Sequence, residues 1–210
     1  KSDSFKWMTR QAAKKGVVSR DQADLLVEYA ELRNAISHGE YRDLRPIAEP
    51  LQETVEEIER LRDALLTPAL ALEVVQTQAV ITFAPDDDIR EPLRALRETG
   101  HRQFPVYDAG ACVGLLTTNA LARWVAGELD ANNHLTPTTV KQVLDLSGRH
   151  DQPVFLPRSV TAAVAVDALT TPLDSGALPR LAIITESGSP SQRPFAVLVA
   201  TDIPALLAAR

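Results

Sequence analysis

The chain has 210 residues, 45% of them hydrophobic and 24% charged, and a formal net charge of −6. That length supports one large or two modest domains with real cores, and the acidic balance argues against an extended DNA-binding surface. Charged residues or prolines interrupt every apolar run, so no membrane-spanning helix is expected, and the lone Cys112 excludes an intrachain disulfide and a multi-cysteine metal site. The opening Lys1-Ser-Asp-Ser has no secretory core, which predicts a cytoplasmic protein, and its lack of an initiator Met leaves room for residues upstream. Cys112 falls inside an apolar strand, where a buried, inert thiol is expected.

Residues 1–67 read as helical, with Gly16 and Gly39 as stops and Pro46, Pro50 and Pro68 as punctuation. Ser19-Arg-Asp-Gln22 is a capping-box pattern at the start of a helix whose Leu25, Tyr29, Leu32 and Ile36 form one stripe. A further helix over Glu49–Leu66 places Leu51, Val55, Ile58, Arg62 and Leu65 on one face. Its other faces are charged, with Glu56 and Arg60 at ion-pair spacing.

Residues 68–130 form a second segment. Ala79–Phe83 predicts a strand, Ala84–Asp88 a turn, Ile89–Thr99 a helix, and Gln103–Tyr107 and Cys112–Thr117 two strands around the turn Asp108-Ala-Gly110. A helix follows. The acidic run Asp86–Asp88 reads as a helix cap rather than a metal site. After the polar connector Gly127–His134, residues 131–210 repeat the βαββα order in degraded form. Thr136–Val140 opens a short helix through Leu146. Strands are expected at Pro153–Leu156, Leu181–Thr185 and Phe195–Ala200, with a helix over Val160–Leu169 between the first two and a last helix starting near Thr201-Asp202. The fold class is thus α+β: a short helical bundle, then two βαββα modules. Trp7 and Trp124 are expected to anchor packing; His134 and His150 suggest no site.

Strand order, spacing and Gly114-Leu-Leu-Thr117 leading into a helix resemble CBS domains, which occur in tandem and bind adenosine-type ligands. The resemblance implies ligand contacts where the third strand runs into its helix, through a Gly, hydroxyl residues and an Asp that accepts ribose hydroxyls near a positive helix end. The first copy reads Gly114-Leu-Leu-Thr117-Thr-Asn119-Ala120, keeping Gly114 and Thr117 but replacing the Asp. The second reads Ala196-Val-Leu-Val199-Ala-Thr201-Asp202, keeping Thr201 and Asp202. The implied site in the second copy is centred on Thr201 and Asp202, and Thr117 and Asn119 would belong to a separate first-copy site. Thr82 is a further polar contact, and His101, Arg102 and Arg180 could meet phosphate. Thr201-Asp202 before Pro204 is also the pattern of a plain helix cap.

Leu32-Arg33-Asn34-Ala-Ile-Ser-His38-Gly39 resembles the signature of HEPN domains, helical bundles that include metal-independent ribonucleases working as dimers. That resemblance would make His38 an acid/base and Arg33 a stabiliser of the charged phosphorane, with Asn34 beside them. At roughly 100° per residue, Asn34 and His38 share a face away from the apolar stripe. The alternative is a His38 that meets its own helix's last carbonyls. Three functions stay open: a regulator binding AMP, ADP, ATP or S-adenosylmethionine, a ribonuclease acting on RNA under CBS control, and a scaffold whose clefts bind nothing. No metal or required cofactor is implied, and a homodimer is expected.

Overall fold

The computed structural model describes residues 4–38, 48–75, 79–148 and 151–209. The described chain divides into two units: Lys1–Val74 with Ser159–Asp167 and Ala205–Arg210, and Val75–Arg158 with Ala168–Pro204. No helix among the described residues is long and apolar enough to cross a membrane.

In the first unit, α1 (Phe5–Lys14) starts on Ser4, whose hydroxyl accepts from the Trp7 amide at 3.3 Å. The capping box predicted for α2 (Arg20–His38) is present. The Ser19 amide donates to Gln22 Oε1 at 2.9 Å, and the Gln22 amide donates to Ser19 Oγ at 3.1 Å. These helices lie side by side, with Lys6 reaching Glu31 at 3.3 Å. The next helix, α3 (Gln52–Leu66), is held to α2 by the Tyr29 hydroxyl donating to Glu57 at 3.1 Å.

The apolar stripes are not a closed core. Leu25, Leu32, Leu51 and Ile58 remain exposed, no residue of α3 is buried, and Trp7 is 50% exposed, which corrects its expected role as a packing anchor. Three helices joined mainly along one seam offer too few layers to cover a stripe on each. The expected Glu56–Arg60 pair gives way to a Gln52–Glu56 contact at 3.2 Å, while Arg62 meets Glu59 and Asp63.

The short α4 (Ala71–Val74) follows an isolated bridge between Leu70 and Thr161. The Ala71 amide donates to Val160 O at 2.9 Å, and the Ala162 amide, opening α8 (Ala162–Thr170), donates to Ala69 O at 2.8 Å.

The same device recurs in the second unit. Asp88 bridges Thr139, the Ile89 amide donates to Thr138 O at 3.1 Å and the Val140 amide to Asp87 O at 2.9 Å. These bonds join the start of α5 (Arg90–Thr99) to that of α7 (Val140–Leu144). Each copy's lead-in therefore pairs with the start of the other copy's first long helix, a correspondence visible only once the chain is folded. As expected for a cap, the Asp88 carboxylate takes the Arg90 amide at 2.8 Å and its guanidinium, and that arginine holds its pKa down at about 2.

The first copy's ladder joins β1 (Gln103–Asp108) antiparallel to β2 (Ala111–Thr117) through Ala109 and Gly110, both at positive φ, the geometry of a tight hairpin. The predicted strand over Ala79–Phe83 is reduced to one parallel bridge, Phe83 with Val106. Phe83 donates to Pro105 O at 3.2 Å and accepts from Tyr107 at 2.9 Å. The next rung back would need an amide hydrogen from Pro105, which has none, so the ladder stops. The second copy keeps three strands, β3 (Val154–Pro157), β4 (Ala182–Thr185) and β5 (Ala196–Leu198), with β4 in the centre, parallel to β3 and antiparallel to β5.

One core packs Ile89, Phe104, Val106, Leu116, Leu121 and the buried Trp124, the last two on α6 (Thr118–Asn132), against α7 residues Val140 and Val143. A second joins the copies through Leu115, Leu181 and Ile183, with Cys112, Phe155, Val197 and Val199 packed around them. The Cys112 thiol is partly buried, and burial pushes its pKa up, in line with an inert thiol.

Tyr107 carries a consequence for alkaline stability. Its hydroxyl is buried without a hydrogen-bond partner among the described residues, and burial pushes its pKa up to about 12. The unfolded chain ionises near 10 while the fold keeps the phenol neutral, so stability is full below about pH 10 and falls as pH climbs towards 12. Tyr107→Phe should flatten that decline while leaving the neutral-pH melting midpoint unchanged or slightly raised, since it removes an unpaired hydroxyl. Melting midpoints of both proteins from pH 8 to 12 check this; parallel curves would contradict it.

Candidate functional site

The second unit holds a cleft of about 670 Å³, within the range of small-molecule sites. Its apolar walls come from Val80, Ile81, Phe104, Pro105, Leu181 and Val197. Thr99 to Gln103, the turn from α5 into β1, and Val199 to Asp202, the turn out of β5, supply the polar rim.

Of the eight residues proposed for ligand contact, the fold brings five to this cleft: His101, Arg102, Arg180, Thr201 and Asp202. Asp202 closes a 3₁₀ turn (Ala200–Asp202) before α9 (Ile203–Ala208). One carboxylate oxygen, Oδ2, accepts from the Val199 amide at 2.8 Å, which fixes the side chain's direction. Asp202 thus stands at N3 and reaches back to the Val199 N-cap amide, rather than being the N-cap itself, and its other oxygen has no hydrogen bond among the described residues. Nδ1 of His101 is buried with no hydrogen-bond partner among the described residues. Arg102 is exposed at the rim.

The other three do not line the cleft. Thr117 is buried and its hydroxyl accepts from the Ala120 amide at 3.2 Å, so it serves as the N-cap of α6. Thr82 and Asn119 are exposed elsewhere on the surface. Thr82 shares the extended segment that the missing Pro105 amide leaves outside the ladder. Gly114 has a packing role: a Cβ there would come within 2.9 Å of Leu144 Cδ2, so the glycine admits α7.

Asp151 was not foreseen. Its carboxylate is 1% exposed and lies between Arg123 and Arg180, each at 3.4 Å. It carries no pattern in sequence, since both partners are distant along the chain. In α2, the Arg33 and Asn34 side chains are exposed and Arg33 Nη1 donates to Asn34 Oδ1 at 3.3 Å. The His38 side chain and Gly39 lie outside the described residues.

Residues 72–127 match the protein-family model described as CBS domain. The described residues are mixed α+β, with N-terminal helices followed by two β/α modules. Among curated proteins there is no match. Similar solved structures include the CBS domain of a CBS-domain-containing membrane protein from Sphaerobacter thermophilus, 17% identical with a TM-score of 0.48, covering 74% of this chain and 99% of that one. CBSX2 in complex with AMP is 15% identical with a TM-score of 0.46, over 68% of this chain and 99% of that one. A CBS domain pair in complex with 5′-methylthioadenosine and S-adenosyl-L-methionine is 14% identical with a TM-score of 0.47, over 68% and 98%. Neither the family match nor these structures support the HEPN-like reading of the N-terminal helices.

Proposed function

We propose that the chain is a regulatory protein whose CBS-pair-like modules bind an adenosine-type ligand in the cleft beside Asp202, with the N-terminal helices supplying dimer contact or output. The observation that carries this reading is the convergence of Asp202, His101, Arg102 and Arg180 on one cleft of ligand size. With Oδ2 anchored on the Val199 amide, the free lone pairs of Asp202 are positioned to accept from the two ribose hydroxyls. Ile81, Phe104, Leu181 and Val197 offer the base an apolar slot. The exposed Phe5, Trp7, Met8, Leu25 and Leu32 give the helices an apolar surface suited to a partner copy.

A thermal-shift and calorimetric comparison of wild type and Asp202→Ala with AMP, ADP, ATP and S-adenosylmethionine tests the reading. A ligand at 100 times its Kd adds about 2.7 kcal/mol, which raises the midpoint of a chain this size by roughly 5–10 °C. That rise should vanish in Asp202→Ala, whose own midpoint drops only slightly through loss of the cap. Equal affinity in the two proteins would refute the site.

A further inference from the structure

We propose that Asp151 is a positioning residue that presents Arg180 to the cleft, making the cleft select a phosphorylated adenosine ligand over the uncharged nucleoside. The inference rests on the adenosine reading of that cleft. Its ground is the ion cluster around the buried Asp151 carboxylate, which includes the cleft-lining Arg180. Asp151 Oδ2 accepts from the Gly148 amide at 2.9 Å and from Arg123 Nη1 at 3.4 Å. Arg123 Nη1 also donates to Leu146 O at 2.9 Å, so Arg123 is committed to the turn after α7. Asp151 Oδ1 has no hydrogen bond and faces Arg180 Nε at 3.4 Å.

Burying a carboxylate costs several kcal/mol unless cations compensate it. Here the compensation comes from two arginines, and only one of them lines the cleft. Arg180's nearest approach to Asp151 is through Nε, which steers the guanidinium and the Nη groups it carries. No hydrogen bond joins those Nη groups to protein among the described residues. A fork held by its stem suits bidentate recognition of a phosphate. The charges of the lining agree: Arg102 and Arg180 against Asp202 give +2 − 1 = +1. An excess positive charge favours an anionic ligand and disfavours a cationic one such as a sulfonium.

Calorimetry of the whole chain with AMP and with adenosine decides the matter. Wild type should bind AMP about tenfold or more tighter than adenosine, the scale of a charge-assisted pair. Arg180→Gln should bring that ratio near one by weakening AMP alone. Asp151→Asn, which keeps the shape and removes the charge, should lower the ratio several-fold, leave adenosine affinity unchanged, and add nothing in an Arg180→Gln background. Equal weakening of both ligands would make Asp151 merely structural and overturn the inference. Should Asp151→Asn fail to fold, Arg180→Lys keeps the charge but lacks the Nε that faces Asp151, and a full AMP preference in that variant overturns the inference equally. If wild type binds both ligands alike and Asp202→Ala binds neither, the adenosine reading survives and this one fails. Binding of neither ligand by wild type removes both.

Discussion

Phe104→Ala is expected to cost about 3–5 kcal/mol of stability, lowering the melting midpoint by roughly 6–20 °C for a chain of this size. Phe104 is 1% exposed near the start of β1 and packs in the core with Ile89, Val106, Leu116, Leu121 and Trp124. Its ring meets that of Phe83 edge-on, with centroids 5.4 Å apart and planes at 76°. Phe83 is the last foothold of the first copy's outer segment, bonded to the sheet on either side of a single bridge. Ring packing therefore holds what the ladder does not. Phe104 also lines the cleft, so alanine should abolish nucleotide binding along with stability. Phe104→Leu separates the effects: it keeps most of the burial and loses the ring pair, worth about 0.5–1.5 kcal/mol. Denaturant melts of the three proteins check this ordering. A loss below about 1 kcal/mol for alanine would mean that the site collapses around the gap.

The elements were legible where local chemistry agrees with tertiary need. Alternating and apolar runs bounded by Asp108-Ala-Gly110 or by the turn around Gly188 have one good local solution, and β1, β2, β4 and β5 fall there. The strand over Ala79–Phe83 failed because its length depends on the neighbouring strand, where Pro105 lacks the needed donor. The helical stripes were legible as stripes, but a stripe does not say whether this chain covers it, and Leu25, Leu32, Leu51 and Ile58 stay exposed. At the candidate site, Asp202 and the basic residues His101, Arg102 and Arg180 line one cleft, whereas Thr117 caps α6 and Thr82 and Asn119 lie outside that cleft. Asp151 escaped because its meaning lies wholly in long-range partners.

The two copies divide one local device. A full capping box has the N-cap side chain accepting from the N3 amide and the N3 side chain accepting from the N-cap amide. Copy one keeps the first half, with Thr117 Oγ accepting from the Ala120 amide. Copy two keeps the second, with Asp202 Oδ2 accepting from the Val199 amide. Only the second half places a carboxylate at the turn, and the large cleft opens beside that copy's turn. With Thr117 capping the helix, copy one needs no carboxylate at Ala120 to hold that turn.

Ile183→Ala should cost about 2–5 kcal/mol and melt both copies in a single transition. Ile183 is fully buried on the central strand β4, paired with Phe155 on one side and Val197 on the other. Its core partners include Leu115 and Cys112 from the first copy's β2, so the cavity left by alanine opens between the two sheets rather than beneath one. A further tie crosses the same seam, the Cys112 amide donating to Pro190 O at 2.8 Å. Leu181 and Val197, both in this cluster's surroundings, also line the cleft, so the shape of the binding wall depends on the shared core. Residues in one packed cluster couple in double-mutant cycles. Leu115→Ala combined with Ile183→Ala should thus cost measurably less than the sum of the two. Calorimetry, with denaturant melts followed by Trp124 fluorescence in the first copy, separates the alternatives. An early transition in the variant that leaves the Trp124 signal native would show that the copies fold independently, and the cleft between their sheets would then lose its basis as a rigid site.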